Sequence, residues 1–169
     1  MSTSLISAVA DIASAISEAV AAPGETLMLD FWNHLFFIVH NLLPFLFVLY
    51  VLYVVDIARN VTKYQFVIIS IPAVIEVILL ITNPFTRLMF YYDASGAYCR
   101  GRWFFILYIG AVFYSFLAIH LSFLYRKLIS TNKFISLLFF TLMGIVPVLI
   151  QMKYSHILLD IFCQSLAIL

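Results

Sequence analysis

Residues 31–55 read FWNHLFFIVHNLLPFLFVLYVLYVV, without one Asp, Glu, Lys or Arg in 25 positions. As a helix rising 1.5 Å per residue, this run is ~37 Å long, and about 20 such residues cross the ~30 Å of bilayer hydrocarbon. Residues 66–81, FVIISIPAVIEVILLI, form a second run, ended by Asn83-Pro84. Trp103 to Tyr125 and Phe134 to Ile150 are the third and fourth, and a fifth begins at Tyr154 and reaches Leu169. Ser4 to Ala22 is weaker. There Leu5, Val9, Ile12, Ile16 and Val20 make a stripe at helical spacing, but Asp11 and Glu18 interrupt it. It reads as a poor span or as an amphipathic helix on the interface. It is not a signal peptide, because no basic residue precedes it. The expected fold is all-α: a polytopic transmembrane helical bundle with five strong spans and one weak N-terminal helix. Residues 1–24 carry the weak helix, and residues 25–169 the bundle, with an aromatic outer loop at 83–102.

Composition points the same way. Of 169 residues, 65% are hydrophobic and 10% charged, with a mean hydropathy of +1.12. A soluble domain carries roughly 25% charged residues and cannot hide this much apolar surface. A cytosolic enzyme and a disordered chain are thereby excluded. A net charge of +1 leaves no basic footprint for DNA or RNA. Cys99 and Cys163 fit neither a Cys-x-x-Cys nor a zinc spacing, and no cofactor or metal is expected.

Lys and Arg set the orientation. The 56–64 and 126–133 loops share one side and hold Arg59, Lys63, Arg126, Lys127 and Lys133. The other side has Arg87, Arg100, Arg102 and Lys153, together with Glu25, Asp30 and Asp93. The first side is taken as cytoplasmic, in the cell membrane. The last span then delivers the C-terminal end to the cytoplasm. That span has 16 residues and no charged flank, so the sequence is expected to be a fragment of a longer protein.

The 83–102 connection, NPFTRLMFYYDASGAYCRGR, is not an ordinary hydrophilic loop. Phe85, Leu88, Met89, Phe90, Tyr91 and Tyr92 would be costly in water and should lie on the bundle or the interface. Asp93-Ala94-Ser95-Gly96 reads as a tight turn, so Tyr91-Tyr92 and Tyr98 could pair as a short hairpin. Such a loop is either an interfacial aromatic belt or a lid over a pocket.

Three ionisable residues lie inside apolar runs: His40, Glu76 and Asp160. A charged group there costs roughly 2.5–3.5 kcal/mol on insertion scales and normally faces the bundle and finds a partner. Glu76 lies seven residues before Asn83, or ~10 Å below the outer end. His40 lies nine residues after Phe31, ~13 Å in, and Asp160 six residues after Tyr154, ~9 Å in. All three depths measure from the same side. The cluster could bind a small polar or cationic ligand, could carry protons, or could glue helices together. His34, His120 and His156 sit nearer the boundaries and read as interfacial anchors. Pro44, Pro72 and Pro147 each remove a backbone hydrogen bond within a span, giving a static bend or a hinge. Pro72 is four residues from Glu76, which marks that helix as the moving part.

The stretch NPFTRLMFYYDASGAYCRG at 83–101 resembles the outer loop of a bacterial seven-helix sensory region that stands ahead of GGDEF diguanylate cyclase domains, and in relatives ahead of histidine kinases. NHLFFIVHNLLPFLFVLYVL at 33–52 is similar to a helix of those sensors, and Gln151 in VLIQ matches a Gln near the end of their penultimate helix. The likeness runs from about Ala10 to Leu169, and Asn83, Pro84, Tyr92, Tyr98, Arg100 and Gly101 lie in its most specific part. It implies a membrane-embedded sensory role ahead of a cytoplasmic GGDEF or kinase output domain; a small extracytoplasmic ligand for the polar cluster and a homodimer are further expected partners. The family's first helix has no counterpart in the sequence. Neither does the GGDEF segment, and no catalytic role is carried over to this chain. A small multi-pass transporter or pore is the alternative. It would need a polar path through inner halves that offer mainly Tyr50, Tyr53, Tyr114, Ser115 and His120.

Overall fold

The chain is described from a computed structural model, which covers residues 27–57, 61–93 and 97–153, and Val9 alone before them. The expected N-terminal helix, apart from Val9, and the fifth span from Tyr154 lie outside the described residues. Four helices carry the fold: α1 (Leu27–Val54), α2 (Lys63–Thr86), α3 (Phe105–Leu124) and α4 (Thr131–Lys153). A two-stranded hairpin, β1 (Phe90–Tyr92) and β2 (Tyr98–Arg100), separates α2 from α3. All four helices are long and apolar enough to cross a membrane: Asp30–Val54, Lys63–Thr86, Phe105–Leu124 and Thr131–Met152 qualify.

Local chemistry explains where the helices start and stop. Thr62 and Gln65 form a reciprocal capping box at the start of α2. Gln65 N–H donates to Thr62 Oγ1 at 3.3 Å, and Thr62 N–H donates to Gln65 Oε1 at 3.0 Å. Ser130 Oγ accepts the Lys133 N–H at 3.4 Å ahead of α4. Helix α1 closes in a Schellman arrangement. Asp56 takes a left-handed φ of 56°, its N–H reaches Tyr53 O at 3.0 Å, and Ile57 N–H reaches Leu52 O at 3.1 Å. Between α3 and α4 a short 3-10 turn, Arg126–Leu128, is fixed by Arg126. Its guanidinium donates to Ile129 O at 3.1 Å and Thr131 Oγ1 at 2.9 Å, and lies 4.6 Å from the Phe134 ring centre.

One expected boundary is corrected. Helix α2 does not end at Asn83-Pro84 but continues through Pro84 to Thr86. Proline cannot donate to the carbonyl four residues back, Leu80, yet its fixed φ suits a helix. The Asn83 carbonyl is still satisfied, by Arg87 N–H at 2.8 Å. Arg87 then adopts φ 54°, and that left-handed residue stops the helix.

The distribution of polarity along α2 is that of a helix in hydrocarbon. Its buried positions are Ala73, Glu76, Leu80 and Asn83, spaced along one stripe, and two of the four are polar. Its exposed side presents Val67, Ile68, Ile71, Val74, Ile75, Ile78, Ile81 and Phe85. A helix in water shows the reverse. Ser122 and Thr141, likewise buried, donate to their own helices at Ala118 O and Leu137 O, both at 2.8 Å, so neither hydroxyl is left unsatisfied.

Two compact units make up the chain. One takes in residues up to Leu43 and Pro72–Leu107, the other Pro44–Ile71 and the chain from Tyr108. The chain passes from unit to unit at Pro44 in α1, at Pro72 in α2 and at Tyr108 in α3. In the second unit, Tyr114 is buried against Phe45, with ring centres 5.7 Å apart, and its hydroxyl donates to Ile69 O at 2.8 Å. Phe47 stacks on Phe140 at 4.5 Å.

Candidate functional site

Asn83 organises the first unit. It is 1% exposed near the end of α2. Its Oδ1 accepts the N–H groups of Met89, at 2.8 Å, and Phe90, at 3.3 Å, and its Nδ2 donates to Phe90 O at 2.9 Å. These bonds fix the amide orientation and tie β1 to the helix. On the far side, Nδ2 lies 3.3 Å from His34 Nε2. His34 Nδ1 lies 2.7 Å from Asp30 O and 3.3 Å from Asp30 Oδ1. The tautomer that serves both contacts carries its proton on Nδ1, leaving Nε2 to accept from Asn83. One residue earlier, Asn33 donates through Nδ2 to the Tyr92 hydroxyl.

The hairpin has the pairing expected from its tyrosines. Phe90 faces Arg100, Tyr91 faces Cys99 and Tyr92 faces Tyr98, antiparallel. Asp93 closes the turn end: its N–H donates to Ala97 O at 3.0 Å and its Oδ1 accepts Ala97 N–H at 2.9 Å. At the other end Gly101 N–H donates to Met89 O at 2.7 Å. Apolar packing completes the seat. Met89 and Phe90 are buried, and the Phe90 ring lies 4.6 Å from His34, 5.1 Å from Phe37 and 5.8 Å from Tyr98. Arg100 lies over Phe104 at 4.9 Å, a cation–π contact. Of the outer-loop residues, Asn83 and Gly101 hold the backbone, Tyr92, Tyr98 and Arg100 supply ring and cation contacts, and Pro84 sits exposed in α2.

Glu76 lies two turns before Asn83 on the same buried stripe. It is 2% exposed, and its Oε1 is buried without a hydrogen-bond partner among the described residues. Among the described residues, no ion pair involves it. His40 belongs to the same unit, half-buried, with its ring stacked on Phe36 at 5.1 Å. No hydrogen bond joins Glu76 to His40 among the described residues. Asp160, the third member of the expected cluster, lies outside the described residues. Pro44, Pro72 and Pro147 all lie inside continuous helices.

The polar tie between α1 and the hairpin escaped the sequence reading, which took His34 for an interfacial anchor. The signal was the adjacent pair Asn33-His34 in an otherwise apolar stretch. Adjacent helical residues point about 100° apart, so the two side chains reach different partners, Tyr92 and Asn83. No family model, curated protein or solved structure matches the chain.

Proposed function

We propose that this chain is the membrane-embedded input region of a bacterial signal-transduction protein of the diguanylate cyclase or histidine kinase kind, with output from a cytoplasmic domain. The observation that carries this reading is Glu76, a carboxyl group buried in an apolar span with one oxygen that none of the described residues bonds. Such a group is costly in hydrocarbon, and it marks a functional position by default. A small polar or cationic ligand, entering from the hairpin side, would complete it, with His40 of the same unit as its companion. Pro72, one turn before Glu76, removes a backbone bond from α2, so ligand contact at Glu76 has a weak point through which to bend that helix. The ligand must bind two helix arrangements unequally to signal. Catalysis is assigned to the output domain and not to this chain.

The test is a fusion carrying a GGDEF domain after Leu169, expressed in bacterial membranes, with the cyclic dinucleotide product measured. Glu76→Gln and His40→Ala should each change output severalfold at equal amounts of folded protein. Output unchanged in both variants overturns the reading. Solute uptake by the parent chain in proteoliposomes would instead support the transporter alternative.

A further inference from the structure

The foot of the hairpin has unused cationic side chains. The last backbone bond between its arms is Trp103 N–H to Leu88 O, at 2.9 Å. Arg87 adjoins Leu88 on one arm and Arg102 adjoins Trp103 on the other, and both are exposed. Among the described residues, neither guanidinium has a hydrogen-bond or ion partner. Arg126, in the α3–α4 connection, is different: its guanidinium is occupied by Ile129 O and Thr131 Oγ1. Segment 83–102 has three arginines against one aspartate, and that aspartate, Asp93, is engaged at the turn end. Arg87 also holds a left-handed φ of 54°, a conformation that glycine adopts without strain.

The surroundings of the foot are apolar. Phe85 is 90% exposed, Trp103 41% and Phe105 52%. Helix α2 ends at Thr86 and α3 begins at Phe105, so the foot joins the ends of two helices long enough to cross a bilayer. That is the depth of lipid phosphates, where aromatic rings settle at the boundary of headgroup and acyl chain. Arginine matches phosphate oxygens with its planar fork of donors. We propose that Arg87 and Arg102 together hold the phosphate of an anionic phospholipid, with Trp103 and Phe105 against its acyl chains. This surface is independent of the ligand site at Glu76.

The test uses the full chain in phosphatidylcholine vesicles with and without a minor fraction of phosphatidylglycerol, and reads the midpoint of thermal unfolding. The anionic lipid should raise the parent's midpoint by a few degrees, because a ligand of the folded state stabilises it. Arg102→Gln should lose at least half of that rise. Arg87→Gly relieves the left-handed φ, so it should be at least as stable as the parent in phosphatidylcholine while also losing at least half of the rise. That separates loss of binding from loss of fold. Inorganic phosphate added to phosphatidylcholine vesicles should have no effect. An absent rise in the parent, an equal rise in both variants, or a rise produced by inorganic phosphate would each overturn the proposal, the last in favour of a soluble anion.

Discussion

A Cβ at position 101 would stand 2.2 Å from the Leu88 carbonyl oxygen, 2.5 Å from the Leu88 carbonyl carbon and 2.8 Å from that of Met89. All three atoms are backbone, held by the bonds that close the hairpin foot, so none can swing aside. Gly101→Ala should therefore separate the hairpin arms at their base and lower the midpoint of unfolding in detergent by several degrees, against little change for Gly144→Ala. Gly144 has open space around its missing Cβ, and alanine is the better helix former there. The two residues differ in how readable they were. Glu76 declares itself in the sequence, because a carboxyl group among isoleucines and valines is costly in hydrocarbon and needs a reason, whether helix glue or a site. Gly101 does not, because its necessity arises from a strand that pairs back on Leu88 and Met89. It could be flagged only through the resemblance of the stretch around it.

The hairpin as an element depends on one side chain outside it. Asn83→Ala would leave the Met89 N–H and the Phe90 carbonyl without their Asn83 bonds in a buried setting, a loss on the order of 2–4 kcal/mol. The variant should fold its helices, yet alkylation of Cys99, half-buried in β2 and paired with Tyr91, should quicken at least tenfold over the parent. An unchanged rate would show that ring packing alone seats the hairpin. Legibility at this scale was uneven. The pairing of Tyr91 and Tyr92 with the segment at Tyr98 followed from turn chemistry at Asp93 to Gly96. The end of α2 was misplaced, because the rule that a residue before proline leaves the helical region is a steric bias. Here it is outweighed by Arg87, whose N–H caps the Asn83 carbonyl three residues past the proline. The Asn33–Tyr92 and His34–Asn83 ties depend on α1 meeting the hairpin, a tertiary event that periodicity does not encode.

Across the whole molecule, the four described spans were legible because hydrocarbon enforces helices: no backbone group can be left unbonded there. Their apolar exposed faces and polar buried positions are the same fact seen from the structure. What hydropathy does not encode is which turn of which helix carries the hairpin, since every lipid-facing position is apolar alike.

Asp93 and Ala97 exchange two hydrogen bonds across the turn end of the hairpin, and the pairs beneath them run on to Gly101. The structure below that latch does not need the length of the peptide above it. Loop closure grows only slowly more costly with length, so a protease-cleavable epitope placed between Ala94 and Ser95 should leave the unfolding midpoint within a degree or two of the parent. In intact cells, a protease added outside would then cut the tag if this end of the protein faces outward, and would spare it if it faces the cytoplasm. The latch thus offers a graft point from which the sidedness of every span can be deduced in one digestion.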